Sequence, residues 1–266
     1  MKRLIINADD FGFTCDVNAG IIHAHREGVL TSTTLMATGD AFDDAVRLAH
    51  ETPSLDIGCH LVLIQGHALT TGERFPETPR EVIQRMLQPG ARSRVDKELR
   101  AQIKKIVAAG IRPTHLDSHK HTHIVPAIFR IVVRLAQEFA IPYVRLPLDR
   151  TAPYGRMPCT ILDPYYRRMA RGRNVRMTDH FLGFRLTGSL NENSLRAALA
   201  TLQQGTTEFM CHPGFLGEEL RGAATRLKES RVHELEALTS PRIREFMDAT
   251  GVRLATFCTD QDLSPR

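Results

Sequence analysis

One ten-residue stretch, Thr114-His115-Leu116-Asp117-Ser118-His119-Lys120-His121-Thr122-His123, places four of the chain's twelve histidines and one aspartate at alternate positions. In an extended strand alternate side chains share a face, so His115, Asp117, His119, His121 and His123 would form one row. Imidazole and carboxylate are the ligands of hydrolytic metal ions, and that is the chemistry such a row could do. The whole row cannot serve one ion, because eight residues of strand cover roughly 26 Å and metal–ligand bonds are only about 2 Å long. Pro126 and the spacing of Ile128, Ile131, Val132 and Leu135 predict a helix immediately downstream. The strand should therefore end near Asp117 or His119, leaving the later histidines on a loop.

Three other segments carry similar groups just after short apolar runs: Asn7-Ala8-Asp9-Asp10, Gly58-Cys59-His60 and Met210-Cys211-His212-Pro213-Gly214. If each run is a strand, all four segments lie at carboxyl ends, where α/β folds collect catalytic groups. With His60 and His212 facing such a site, Cys59 and Cys211 must face the layer between sheet and helices. The adjacent acids divide the labour: one can bind a cation while the other takes a proton from water, and the cation relieves their repulsion. An Asp-Asp pair after a strand also caps helices, and a lone histidine also serves as a hydrogen-bonded core residue. The four segments taken together favour the site. Within the row, Asp117 suits the part of a carboxylate that fixes a ligand imidazole through its other N–H. Whether His121 and His123 reach the site stays open.

The elements that must position these groups read as short apolar strands alternating with amphipathic helices, about seven strands in all. This is an α/β, barrel-like fold formed by residues 1–266 as one domain, with irregular excursions near 65–79 and 147–177. The 266 residues, 42% hydrophobic and 24% charged, suit one enzyme-sized domain. A net charge of +5 could suggest an anionic partner, but lysine and arginine are scattered and no basic stripe interleaved with aromatics appears, so nucleic acid is not expected. Five cysteines without a Cys-x-x-Cys pair argue for reduced thiols, and no apolar segment is long enough for a signal peptide core or a membrane span. Both readings point to a cytoplasmic protein.

The same residues carry a resemblance. Asn7-Ala8-Asp9-Asp10-Phe11-Gly12, Gly28-Val29-Leu30-Thr31-Ser32-Thr33-Thr34, Gly58-Cys59-His60-Leu61-Val62-Leu63, the histidine row and Met210-Cys211-His212-Pro213-Gly214-Phe215 together look like the YdjC-like carbohydrate deacetylases. That family includes chitooligosaccharide deacetylases and hopanoid-biosynthesis-associated proteins. The resemblance implies a metal-dependent hydrolase, with a fold resembling the polysaccharide deacetylase barrels, that removes the acetyl group from an N-acetylated amino sugar. Carried over by position, Asp10, His60 and His119 would hold one divalent ion, Mg²⁺ by resemblance, with Zn²⁺ the alternative on ligand preference. Asp9 would be the general base and His212, as imidazolium, the general acid. Arg145 matches an arginine that orients the base. Asp117, His123 and Arg145 are the supporting or substrate-binding candidates.

The substrate is not written in these motifs. His67, the loop Gln65–Pro79 and the basic stretch Arg167–Arg176 are candidate determinants, for a chitooligosaccharide or for a glycosylated hopanoid-type lipid. The segment Thr178–Phe184 and the run through His60 lean toward the hopanoid branch, and a homodimer is implied only by the resemblance. Two rivals stand beside the deacetylase: another barrel metallohydrolase such as a phosphoesterase, and a non-catalytic carbohydrate-binding module. A phosphoesterase should show a glycine-rich cradle or a clustered basic clamp, and neither is present.

Overall fold

The computed structural model describes residues 1–149 and 162–262. Among these residues eight strands form one parallel sheet: β1 (Lys2–Phe11), β2 (Ser32–Leu35), β3 (Asp56–Leu61), β4 (His115–Ser118), β5 (Tyr143–Val144), β6 (His180–Leu182), β7 (Gly205–Cys211) and β8 (Val252–Leu254). Seven follow the order β5-β4-β3-β2-β1-β7-β6. The eighth, β8, pairs with Lys2–Leu4 of β1, on the stretch that precedes its pairing with β2. The sheet curls into a half-barrel, and a parallel bridge from Tyr143 to Arg176 extends beyond its β5 edge. Parallel strands need crossover connections, and helices α1 (Cys15–Glu27), α2 (Phe42–Glu51), α3 (Pro79–Met86), α4 (Ala91–Ala108) and α5 (Pro126–Glu138) supply several of them. The α/β architecture and the parallel strands expected from the apolar runs are those observed.

Burial explains the runs. Leu4, Ile5, Ile6 and Ala8 of β1 are fully buried, as befits a central strand covered on both faces. In α5 the stripe Ile128, Phe129, Val132 and Leu135 faces the core, and Pro126 opens the helix where its missing N–H is not needed. Cys59 and Cys211 lie in the same apolar cluster, on the side away from the polar groups described below.

Differences from expectation are local. The strand through the histidine row ends at Ser118, and His119–Ile124 is a tight 3-10 turn in which Lys120 and His121 adopt left-handed φ of 50° and 53°. The alternating face therefore stops after Asp117. Strands β5 and β6 are only two and three residues long, too few to show a period in the sequence. The loop 65–79 is held by an antiparallel bridge between His67 and Arg74. Of the excursion 147–177, residues 150–161 lie outside the described part, and helix Asp163–Arg171 accounts for much of the rest.

Candidate active site

Asp9 and Asp10 would point to opposite faces in a regular strand. Here Ala8 pairs with Thr33 and Phe11 with Leu35, so β1 carries one residue more than β2 across this interval, and Asp10 takes φ 71°. This bulge aims both carboxylates into one site. Just beyond, Gly12 at φ 95° donates its N–H to Asn18 Oδ1 at 2.6 Å, which fixes the turn.

His60 and Asp117 are register partners on β3 and β4, so their side chains share a face. His60 Nδ1–H donates to Asp117 Oδ1 at 2.8 Å, and Thr34 Oγ1 donates to Asp117 Oδ2 at 3.2 Å. That leaves His60 Nε2 directed at Asp10 Oδ1 (3.4 Å) and His119 Nδ1 (3.3 Å), while His119 Nδ1 lies 3.1 Å from Asp10 Oδ1. Three lone-pair atoms converge on one point. Bonds of about 2.0–2.1 Å at tetrahedral angles give ligand–ligand edges of about 3.3 Å, so these residues fit a divalent cation. A second acid–imidazole group, Asp9, His60 and Asp117, is already neutralised by a guanidinium.

That guanidinium is Arg145, fully buried just after β5. Its Nη1 and Nη2 donate to the two oxygens of Asp9 at 2.9 and 2.7 Å, Nη1 also lies 2.6 Å from Asp117 Oδ2, and Nε donates to Glu208 Oε1 at 2.7 Å. One cation thus serves three buried carboxylates. Burial alone would raise Asp9, but Arg145, with His60 and His212, holds its carboxyl well below the ordinary range. Asp117 is raised, because burial outweighs Arg145 and His60 there, and Glu208 is pushed up to about 7 by burial against the pull of Arg145. Burial pushes His60 down, yet Asp117 and Asp10 together take it up to about 10. Two carboxylates thus favour a positive charge at this point, and in metal-free protein the proton on the His60 ring supplies it.

His212 follows β7 and faces Asp9, with Nε2 4.0 Å from Asp9 Oδ2. Its backbone N–H donates to Glu234 Oε2 at 2.5 Å, and the same oxygen lies 3.9 Å from Nδ1. Burial takes the His212 imidazole down to about 4 in spite of Asp9 and Asp10, so the ring is neutral near pH 7. The imidazolium expected from the sequence is therefore not the resting form. Burial likewise pushes Glu234 up to about 7.

The structure thus brings Asp9, Asp10, His60, Asp117, His119, Arg145 and His212 together. His123 stands one step back: Ser118 Oγ–H donates to its Nδ1 at 2.6 Å and its Nε2–H donates to the Arg145 carbonyl at 3.0 Å. Both ring nitrogens are spent on that support. His115 stacks on Phe257 at 3.8 Å and bonds Asn7 Oδ1 at 3.0 Å, outside the convergent cluster. His121 packs against Phe181 and Phe184, and His67 lies exposed on the 65–79 loop. Sequence reasoning missed Thr34, Glu208, Arg231 and Glu234. A glutamate within an apolar strand was the one signal available for Glu208, since a buried charge needs a partner.

Fold and site together define an α/β protein with a curled parallel sheet and a buried acid–imidazole centre at its carboxyl edge. The chain belongs to the YdjC-like protein family, whose model matches residues 3–249. It is 36% identical over 263 residues to a carbohydrate deacetylase of Brevibacillus brevis, covering 96% of this chain and 98% of that one. It is 35% identical to a chitooligosaccharide deacetylase of Klebsiella pneumoniae, covering 97% and 99%. A solved structure from Enterococcus faecalis V583, provisionally named for cellobiose-phosphate cleavage, superposes with a TM-score of 0.81 at 27% identity and 99% coverage of both chains. Among the described residues no helix is long and apolar enough to cross a membrane.

Proposed function

We propose that this protein is a metal-dependent carbohydrate deacetylase, hydrolysing the acetamide of an N-acetylated amino sugar to acetate and the free amine. The observation that carries the reading is the convergence of Asp10 Oδ1, His60 Nε2 and His119 Nδ1 within 3.1–3.4 Å of one another, beside an Asp9 clamped by Arg145. The names of the Brevibacillus and Klebsiella relatives support the reaction class, and the latter supports a chitooligosaccharide over a glycosylated hopanoid.

Asp10, His60 and His119 would hold the ion, which when bound supplies Lewis acidity toward water and the acetyl carbonyl. Asp117 fixes the His60 ring with Nε2 turned inward. Asp9, held ionised and oriented by two hydrogen bonds from Arg145, is placed to take the proton of the attacking water. Its strong preference for the charged form means it cannot keep that proton. Neutral His212, 4.0 Å away, can receive it and pass it to the departing nitrogen. Water loses a proton as its oxygen bonds the acetyl carbon, the C–N bond breaks, and the amine gains that proton. Glu234, 3.9 Å from Nδ1, faces the positive charge that His212 acquires in between.

Two imidazoles with one carboxylate are a donor set that suits Zn²⁺, whereas the family resemblance favours Mg²⁺. Chelator-stripped protein, reconstituted with single metals and assayed for acetate release from N-acetylglucosamine oligomers, tests the reading. Activity should vanish on stripping and return with one of these ions. Full turnover by metal-free protein would refute the mechanism.

A further inference from the structure

Asp10 has two oxygens, and only Oδ1 faces the convergent point. Oδ2 accepts a hydrogen bond from Arg231 Nη2 at 2.6 Å. Arg231 is 1% exposed and comes from helix Glu229–Thr239, 221 residues away in sequence. Its Nε donates to the Leu227 carbonyl at 3.2 Å and its guanidinium lies 5.9 Å from the Phe13 ring. Its carbonyl accepts from Gly214 N–H at 3.2 Å, and a Cβ on Gly214 would come 3.2 Å from Arg231 Cδ. The glycine after His212-Pro213 thus lets the chain pass close to this arginine. Asp10 itself has a left-handed backbone, which fixes where its carboxylate starts but not how it is rotated.

On the reading of the site given above, we propose that Arg231 is a positioning residue for the ion: by occupying Oδ2 it sets the rotation of the Asp10 carboxylate so that Oδ1 alone is presented to the metal. Two effects oppose each other. The guanidinium repels a nearby dication, so removing it would favour binding. It also fixes a ligand on a strained backbone, so removing it lets the carboxylate turn away or take both oxygens to the ion. Orientation dominates, because groups that hold a metal ligand typically contribute about 10–100-fold in metal affinity or activity.

The test is calorimetric titration of chelator-stripped protein with Zn²⁺ and with Mg²⁺, reading affinity independently of turnover. Arg231→Gln should weaken binding of the ion that the wild type holds by about 10–100-fold. Arg231→Lys, which keeps a buried cation should the glutamine variant fail to fold, should weaken it less. In an Asp10→Asn background Arg231→Gln should add no further loss, since the arginine acts through that carboxylate. Unchanged or tighter binding in the Arg231 variants, or an equal loss in the Asp10→Asn background, would overturn the proposal. A wild type that binds neither ion would instead refute the metal site itself.

Discussion

Arg145→Met removes one cation from three buried carboxylates, of Asp9, Asp117 and Glu208, each within 2.9 Å of the guanidinium. Removing one partner of a buried ion pair typically destabilises by about 3–5 kcal/mol, and methionine fills most of the stem volume, so the loss of charge dominates over any cavity. For a chain of this size, a urea slope near or above the upper end of the usual 1–3 kcal/mol/M turns that loss into a fall in midpoint of roughly 1–2 M. The pH dependence is the sharper signature. In the wild type Asp9 titrates below its unfolded value, so its contribution is present above the unfolded carboxylate range and is lost only as pH falls below it. In the variant the same carboxylates are buried without a cation. Their pKa values rise, their penalty is full above those raised values, and it shrinks as pH falls through them. Urea unfolding of metal-free wild type and variant between pH 5 and 8 should therefore show a gap that widens with pH. A gap below about 1 kcal/mol, the size expected for an exposed pair, or one that does not change with pH, would refute the reading of Arg145 as the charge hub.

Asp9→Asn should lower turnover by about 10²–10⁴-fold while metal affinity measured by titration stays within a few-fold, and retained turnover would remove Asp9 from the proton path. In metal-free protein, histidine NMR should find the His212 ring neutral down to about pH 5, since burial takes it to about 4. Its folded pKa lies below the unfolded value, so it withdraws stability as pH falls from about 6.5 toward that lower figure; a midpoint near 6.5 would contradict the buried, neutral ring. Gly58→Ala would set a Cβ 2.6 Å from both the ring and the carbonyl of His115. A loss of about 1–3 kcal/mol in thermal or urea unfolding is expected, and a neutral result would show that β3 and β4 can part at no cost.

The fold class and the residues that converge in the candidate site were largely legible because the signals are local. Short apolar runs closed by Asp9-Asp10, His60 and His212 mark strand ends, and strand ends of parallel sheets are where sites form. The histidine row was less readable. Alternation implied five residues on one face, but the left-handed turn at Lys120 and His121 ended the row after the strand, leaving His121 against Phe181 and Phe184 and His123 under Arg145, while His115, still on the strand, is taken up by Asn7 and Phe257. No propensity in that segment signals two consecutive non-glycine residues with positive φ.

The sequence by itself determined the chemistry on offer, carboxylate and imidazole at four strand ends, because residue type and the two-residue period of a strand are written along the chain. Only the tertiary structure decided which of those groups meet and in what charge state. A bulge turned Asp10 to the same side as Asp9, the β3–β4 register set Asp117 beneath His60, and burial lowered the pKa of the His212 ring and raised that of Glu234. Arg231 and Glu234 come from one turn of a helix more than two hundred residues beyond the paired acids. Such placement depends on how strands and helices pack across the whole sheet, and no local pattern carries that information.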